Sequence, residues 1–83
     1  MKLQLRYFAS LREALGTGSE AWTTQAATVG GLRDELIARG GAYAEALARG
    51  RALRASLNQV LCAEDAALSD GAEVAFFPPV TGG

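Results

Sequence analysis

The stretch AEVAFFPPVTGG, Ala72 to Gly83, decides the fold of this 83-residue chain. Val74 and Phe76 occupy alternate positions, a period typical of a strand that buries one face. Pro78 and Pro79 follow at once, and proline cannot donate a hydrogen bond to a β-ladder. The sequence therefore predicts an apolar strand that ends at Phe77 and leads through a stiff spacer to a glycine pair.

Three other segments also have the composition of strands. Leu3, Leu5 and Tyr7 alternate with polar residues, which predicts a half-buried first strand. Residues 20–25 are rich in aromatic and β-branched side chains, and residues 56–63 form a third substantial apolar segment. Because the first and last strands are the most apolar, we expect them to be the central pair of the sheet.

The helix signals lie between these strands. Ser10 and Glu13 have the S-x-x-E spacing of a capping box, which predicts a short helix that Gly16 and Gly18 end. Thr28 is placed to cap the main helix, and residues 42–50 predict a short third helix. In the main helix an apolar stripe is separated from charged positions; the stripe consists of Val29, Leu32, Leu36 and Ile37, and Arg33, Asp34, Glu35 and Arg39 lie mostly off it.

One main helix can cover only one face of a sheet. The order of elements therefore predicts an α+β protein in which a mixed sheet carries the main helix and short helices on one face. This order is similar to the β-grasp arrangement of ubiquitin-like proteins. We expect residues 1–77 to form this domain and residues 78–83 to form an extended tail.

Composition excludes several classes of function. Eight basic and nine acidic residues give a net charge of −1, which favours neither nucleic acid nor an anionic membrane as a partner. The absence of histidine argues against a Ser-His or Cys-His relay, and with a single cysteine it argues against a zinc site. Charged residues interrupt the first sixteen positions, so no signal peptide is expected and we predict a cytoplasmic protein.

The predicted tail suggests a chemical role. Residues 78–83 can reach about 20 Å beyond the domain. Gly82 and Gly83 lack a Cβ atom and can pass where other residues do not fit. A carboxylate at Gly83 is an anion at neutral pH. It becomes reactive only when another protein converts it to a mixed anhydride, for example with AMP from ATP, which a sulfur nucleophile can turn into a thiocarboxylate.

Three stretches carry a resemblance to a known family: LSDGAEVAFFPPVTGG at residues 68–83, YFASLREALGTG at 7–18 and LNQVLCAEDAAL at 57–68. Together they resemble the small, sulfur-carrying subunits of molybdopterin synthase, which have a ubiquitin-like β-grasp fold. Ala72 departs from the family, which often has an acidic residue there. Cys62 departs too, since another small apolar residue is usual.

The resemblance implies a mechanism without a catalytic side chain in this chain. A ubiquitin-activator-like adenylating enzyme would use ATP to adenylate Gly83, which then becomes a thiocarboxylate. The tail would enter the large subunit of molybdopterin synthase and deliver sulfur to cyclic pyranopterin monophosphate. The tail-threading residues would be Val80, Thr81 and Gly82, and the partner-binding residues Phe77, Pro78 and Pro79. The family complex is a heterotetramer, and the carrier binds no cofactor or metal itself.

Other interpretations of the tail stay open. A carrier of this kind could serve another acceptor, as in thiamin synthesis or tRNA thiolation. Gly83 could instead form isopeptide bonds with lysines, as in a ubiquitin-like protein modifier. The simplest alternative is an unattached chain end, which the stiff spacer after a strong strand makes less favourable.

Several side chains outside the tail have simpler interpretations. We expect Phe76 to point into the core with Val74, and Phe77 to be available to a partner. Cys62 is interpreted as a small buried hydrophobe rather than a reactive thiol. Two groups of charged residues are interpreted as turn or solvated positions: Glu64, Asp65, Asp70 and Glu73, and the basic cluster of Arg49, Arg51 and Arg54, which alternatively contacts an acidic partner.

Overall fold

The computed structural model of the chain describes residues 1–79. Its elements follow in the order β1 (Lys2–Tyr7), α1 (Ser10–Leu15), β2 (Ser19–Thr23), α2 (Val29–Ile37), α3 (Gly41–Ala46), β3 (Arg54–Leu57), β4 (Val60–Cys62) and β5 (Glu73–Phe77). The strands form one mixed sheet in the order β2-β1-β5-β3-β4. Residues 80–83, on which the predicted tail-threading and reactive positions fall, lie outside the described part.

The predicted central pair of strands is confirmed. β5 lies in the middle of the sheet, parallel to β1 on one side and antiparallel to β3 on the other. Leu5 pairs with Val74 and Tyr7 with Phe76, and all four side chains are fully buried or nearly so. The parallel pairing brings the end of β5 next to the end of β1, where α1 begins.

The main helix covers one face of this sheet, as predicted. Val29, Leu32 and Leu36 of α2 are completely buried and join the core side chains of β1 and β5 in one cluster. Thr28 caps the helix as expected, since its Oγ1 accepts a hydrogen bond from the Gly31 backbone N–H at 3.1 Å. A mixed sheet with its helices on one face in this order is a β-grasp fold.

The third predicted strand is wrong in its extent. Residues 56–63 contain a hairpin instead of one strand, because Asn58 and Gln59 both have positive φ, at 50° and 70°. Two such residues form the type of tight turn that matches the twist of paired strands. The Asn58 side chain fixes the turn, since its Oδ1 accepts a hydrogen bond from the Glu73 N–H at 2.9 Å. The apolar segment is thus divided between β3 and the edge strand β4.

The predicted capping box at Ser10 is also wrong. Ser10 is the first residue of α1, Ala9 occupies the cap position, and no side chain caps the helix. Ala9 has φ 54° and ψ −129°, so the chain turns sharply between β1 and α1. The predicted end of the helix is confirmed, since Gly16 is left-handed with φ 74°.

A polar cluster joins β2 to the helices near the edge of the core. Glu20 accepts hydrogen bonds from the hydroxyls of Tyr7 and Tyr43, both at 2.8 Å, and from Arg39 at 2.9 Å. The Arg39 guanidinium also lies over the Tyr43 and Trp22 rings, 3.7 and 4.7 Å from their centroids. Partial burial alone would raise the pKa of Glu20, but these hydrogen bonds outweigh it and hold the pKa below its ordinary value.

Candidate functional site

The end of β5 marks the place where the predicted tail leaves the domain. β5 ends at Phe77, and the half-buried Pro78 and Pro79 that follow belong to no strand, as predicted. Phe76 is 1% exposed and packs in the core with Val74, which confirms its predicted orientation. Phe77 points to the opposite face of the sheet and is half-buried. Its partner-binding role, like that of the prolines, stays a prediction.

Phe77 lies among apolar side chains on the sheet face without helices. Phe8 and Leu61 flank the same shallow depression as Phe77, and they are 41% and 61% exposed. We call Phe8, Leu61 and Phe77 the outer-face patch. Sequence reasoning missed Phe8 and Leu61. The signal was available for Phe8, which continues the alternation of β1 one residue past Tyr7 and so falls on the outer side.

Charged side chains lie beside the outer-face patch. The Arg6 guanidinium lies 5.3 Å from the centroid of the Phe8 ring, and its Nη1 is 3.8 Å from Oε1 of Glu73. Both contacts are partly exposed, so they orient Phe8 more than they stabilise the fold. An exposed apolar patch with charges at its margin is typical of a protein-binding surface.

A second concave surface touches the tail exit from the helix side. Pro78 lines a groove between α1 and α3, together with Ala14, Ala46 and Arg51. We call it the α1–α3 groove. The tail exit therefore lies between two surfaces, the outer-face patch and this groove.

A buried arginine holds the segment that forms one wall of the groove. Arg33 is 4% exposed, so the expectation that it lies off the buried stripe is wrong. Its guanidinium donates to the backbone carbonyls of Leu47, Ala48 and Arg51 at 2.8, 2.6 and 3.1 Å. These bonds shape the turn that ends α3 at Ala46, four residues before the predicted end at Gly50.

The same arginine also takes part in a cluster of ion pairs at the surface. Arg33 Nη1 donates to Glu64 at 2.7 Å, and Arg49 binds Glu64 as well as Asp34 and the Gly30 carbonyl. Hydrogen bonds from Arg49 above all, and from Arg33, hold the pKa of Glu64 below its ordinary value against the effect of partial burial. Glu64 and Arg49 are therefore paired with each other, and since their side chains are 40% and 47% exposed, the pair lies at the solvated surface as expected.

The remaining predictions outside the tail have mixed outcomes. Asp70 is a turn residue as expected, since its Oδ1 accepts a hydrogen bond from the Lys2 N–H at 2.7 Å. Cys62 is half-buried at the end of β4. Burial, with Asp65 nearby, raises the pKa of the Cys62 thiol, which lowers its thiolate fraction and favours the apolar interpretation.

Two further features are absent from residues 1–79. No helix in this part of the chain is long and apolar enough to cross a membrane. Within the same residues, no three His, Cys, Asp or Glu side chains are grouped so that they could hold a metal ion.

A β-grasp domain whose central strand leads through two prolines toward a Gly-Gly sequence defines a class of ubiquitin-like proteins. Within this class, residues 5–83 match the model of the ThiS family. The chain therefore belongs to the ThiS family.

Known proteins similar to the chain agree with this assignment. Over 81 residues it is 43% identical to the molybdopterin synthase sulfur carrier subunit of Escherichia coli (strain K12), covering 98% of this chain and 99% of that protein. SAMP1 from Haloferax volcanii has a similar structure, with a TM-score of 0.79, 27% identity and full coverage of both chains. A third similarity is to a protein–protein complex of subunits 1 and 2 of molybdopterin-converting factor from Helicobacter pylori, with a TM-score of 0.65, 26% identity and full coverage of both chains.

Proposed function

We propose that this chain is the sulfur carrier of a molybdopterin synthase. The observation that carries the proposal is the sequence FFPPVTGG at residues 76–83, which begins in the central strand β5 beside an exposed apolar patch. The near-complete coverage of a carrier subunit at 43% identity supports the same function. The chain itself supplies the reactive terminus and the surfaces that present it, and other proteins supply the catalysis.

The reactive group in this proposal is the carboxylate of Gly83. An α-carboxylate is a poor electrophile because it is ionised at neutral pH. An adenylating enzyme therefore transfers AMP from ATP to it with release of pyrophosphate, and a sulfur donor then displaces the AMP to leave a thiocarboxylate. The thiocarboxylate sulfur forms a bond to cyclic pyranopterin monophosphate in place of an oxygen substituent, and water then hydrolyses the acyl–sulfur bond. The sulfur stays on the pterin, and Gly83 returns to the carboxylate. Because this cycle uses ATP, we place the protein in the cytoplasm.

The outer-face patch is the proposed docking surface for the large subunit. Phe8, Leu61 and Phe77 are exposed or half-buried, and they surround the end of the strand that leads to the tail. Aromatic and apolar side chains at the centre of an interface commonly carry most of the binding energy. A partner that covers this patch lies next to the tail exit, so Val80, Thr81 and Gly82 can thread into its active site. The similar structure of a two-subunit complex supports such a partner.

The test combines the chain with a large subunit and an activating enzyme from the same source. Deleting Gly82 and Gly83 should abolish molybdopterin formation. The same deletion should leave thermal unfolding and binding of the large subunit nearly unchanged, because both depend on the folded domain. Gly82→Ala should slow the reaction and Gly82→Ile should slow it more, since a narrow channel excludes a larger side chain. Full activity of the deleted chain would refute the proposal.

A second candidate function is a ubiquitin-like modifier. The structural similarity to SAMP1, a small archaeal modifier protein by name, favours it. In that case Gly83 would end in isopeptide bonds with lysines of target proteins. Peptides with a Gly-Gly remnant on lysine, found by mass spectrometry in cells that express the chain, would support the modifier over the carrier.

A further alternative is a sulfur carrier for thiamin synthesis or tRNA thiolation. It is tested by replacing the large subunit with the acceptor enzyme of those pathways, because such a carrier would act with a different partner enzyme.

A further inference from the structure

The α1–α3 groove is a concave surface with no role in the proposed chemistry. It has a volume of about 610 Å³, and Pro78 forms part of its wall. Small side chains line much of it: Ala14, Ala42, Ala46 and Ala52. Small residues leave room for a backbone to approach closely, so the groove suits a thin extended segment better than a bulky side chain.

The charges at the groove indicate the chemistry of its occupant. Arg51 and Glu45 both line it. Arg51 is held in place from both ends, because its carbonyl accepts from Arg33 and its own Nε donates to the Glu45 carbonyl at 3.1 Å. Its guanidinium makes no ion pair within residues 1–79, so it can receive an anion. The Glu45 carboxylate opposes anion binding at the same groove.

The chain's own last residues are within reach of this groove. Pro78 already lines it, and the four residues after Pro79 can span about 13 Å. A short tether keeps its end at an effective concentration on the order of millimolar. Even a contact with a millimolar dissociation constant would therefore be occupied in about half of the molecules.

We propose that the α1–α3 groove is an intramolecular docking site for residues 80–83. In this arrangement the Val80 side chain packs against the alanines and the Gly83 carboxylate binds Arg51. The proposal rests on the proposed function in one respect, that Gly83 carries a free terminal carboxylate. Its consequence is a resting position on the helix side, which leaves the outer-face patch open for a partner that then draws the tail out.

The direct test is a comparison of amide NMR spectra of the isolated protein with and without residues 80–83. Removing them should shift the amide signals of Ala42 and Ala46 and the side-chain Nε–H signal of Arg51. Shifts confined to residues 76–79 and their strand neighbours would overturn the proposal. Neither result depends on a partner or on sulfur transfer, so failure here would leave the proposed function standing.

Charge variants sharpen the test. Each variant is compared with the same variant lacking residues 80–83. Arg51→Gln should reduce the tail-dependent shifts at Ala42 and Ala46 by roughly twofold or more, because the carboxylate loses its cation. Glu45→Gln should enlarge them, because a repulsive charge is removed. Arg54→Gln is the matched control, since Arg54 is an exposed arginine on β3 that does not line the groove. Equal shifts in all three variants would overturn the assignment of Arg51.

Discussion

The two faces of β5 differ in burial, since one is packed in the core and the other is partly exposed. On the inner face, Val74 and Phe76 are almost completely buried under the helices. On the outer face, the adjacent Phe77 is half-buried and lies beside the exposed Phe8 and Leu61. One strand can therefore anchor the core with one residue and expose the next to solvent, because alternate residues point to opposite sides.

The sharpest test of this difference between the two faces is to replace each of the two adjacent phenylalanines by alanine, one at a time. Phe76→Ala should lower the free energy of unfolding by about 3–5 kcal/mol, because it leaves a cavity in the core. Phe77→Ala is the matched control on the outer face and should cost about 1 kcal/mol or less. Urea denaturation of both variants measures the difference. Equal losses would show that the two faces are not divided as described.

A comparable contrast exists between the two arginines that bind Glu64, which are Arg33 and Arg49. Arg33→Met should cost about 3 kcal/mol, because the buried Leu47 carbonyl and the partly buried carbonyls of Ala48 and Arg51 lose their donor. Arg49→Met removes ion pairs that are about half exposed and should cost less than about 1 kcal/mol. The same denaturation experiment measures both, and a larger loss for Arg49 would contradict the structural role of Arg33.

Much of the fold could be predicted from local pattern. Their apolar content identified β1 and β5 as the central pair, and Thr28 identified the start of α2. Arg33 could not be predicted, because its burial depends on carbonyls fourteen and more residues away in the chain. The division of residues 56–63 was missed because Asn-Gln is a weaker turn signal than Asn-Gly, although asparagine tolerates positive φ.

The candidate site was predictable to a smaller extent. Phe77, Pro78 and Pro79 follow directly from the end of the strand pattern. Phe8 and Leu61 come from β1 and from the β3–β4 hairpin, and only the sheet order brings them to Phe77. The alternation of β1 can place Phe8 on the outer side, but a patch assembled from three separated segments has no complete signature within any one of them.

The outer-face patch can be tested within the edge strand. Leu61→Ser should weaken binding of the large subunit about tenfold or more, a loss of about 1.4 kcal/mol or more. Val60→Ser is the matched control, since Val60 is 67% exposed and points to the other side of the same strand. Isothermal titration calorimetry measures both affinities. A greater loss for Val60 would contradict the assigned docking face.

The smallest expected effect concerns pH. Because the folded-state pKa of Glu20 is below its ordinary value, its contribution to stability is present at neutral pH and is lost as the pH falls through that folded-state pKa. Glu20→Gln removes this titration. The melting temperature of the wild type should therefore fall more steeply than that of the variant between pH 5 and about pH 2. Parallel curves would show that the hydrogen bonds to Glu20 do not favour its ionised form.

The central claim is that Gly83 carries the sulfur, and the intact mass of the chain tests it most directly. After incubation with ATP, a cognate activating enzyme and a sulfur donor, the chain should gain about 16 Da, the difference between sulfur and oxygen. Fragmentation should place the gain on Gly83, and Cys62→Ala should leave it unchanged. A gain that maps to Cys62 and disappears in Cys62→Ala would contradict the account.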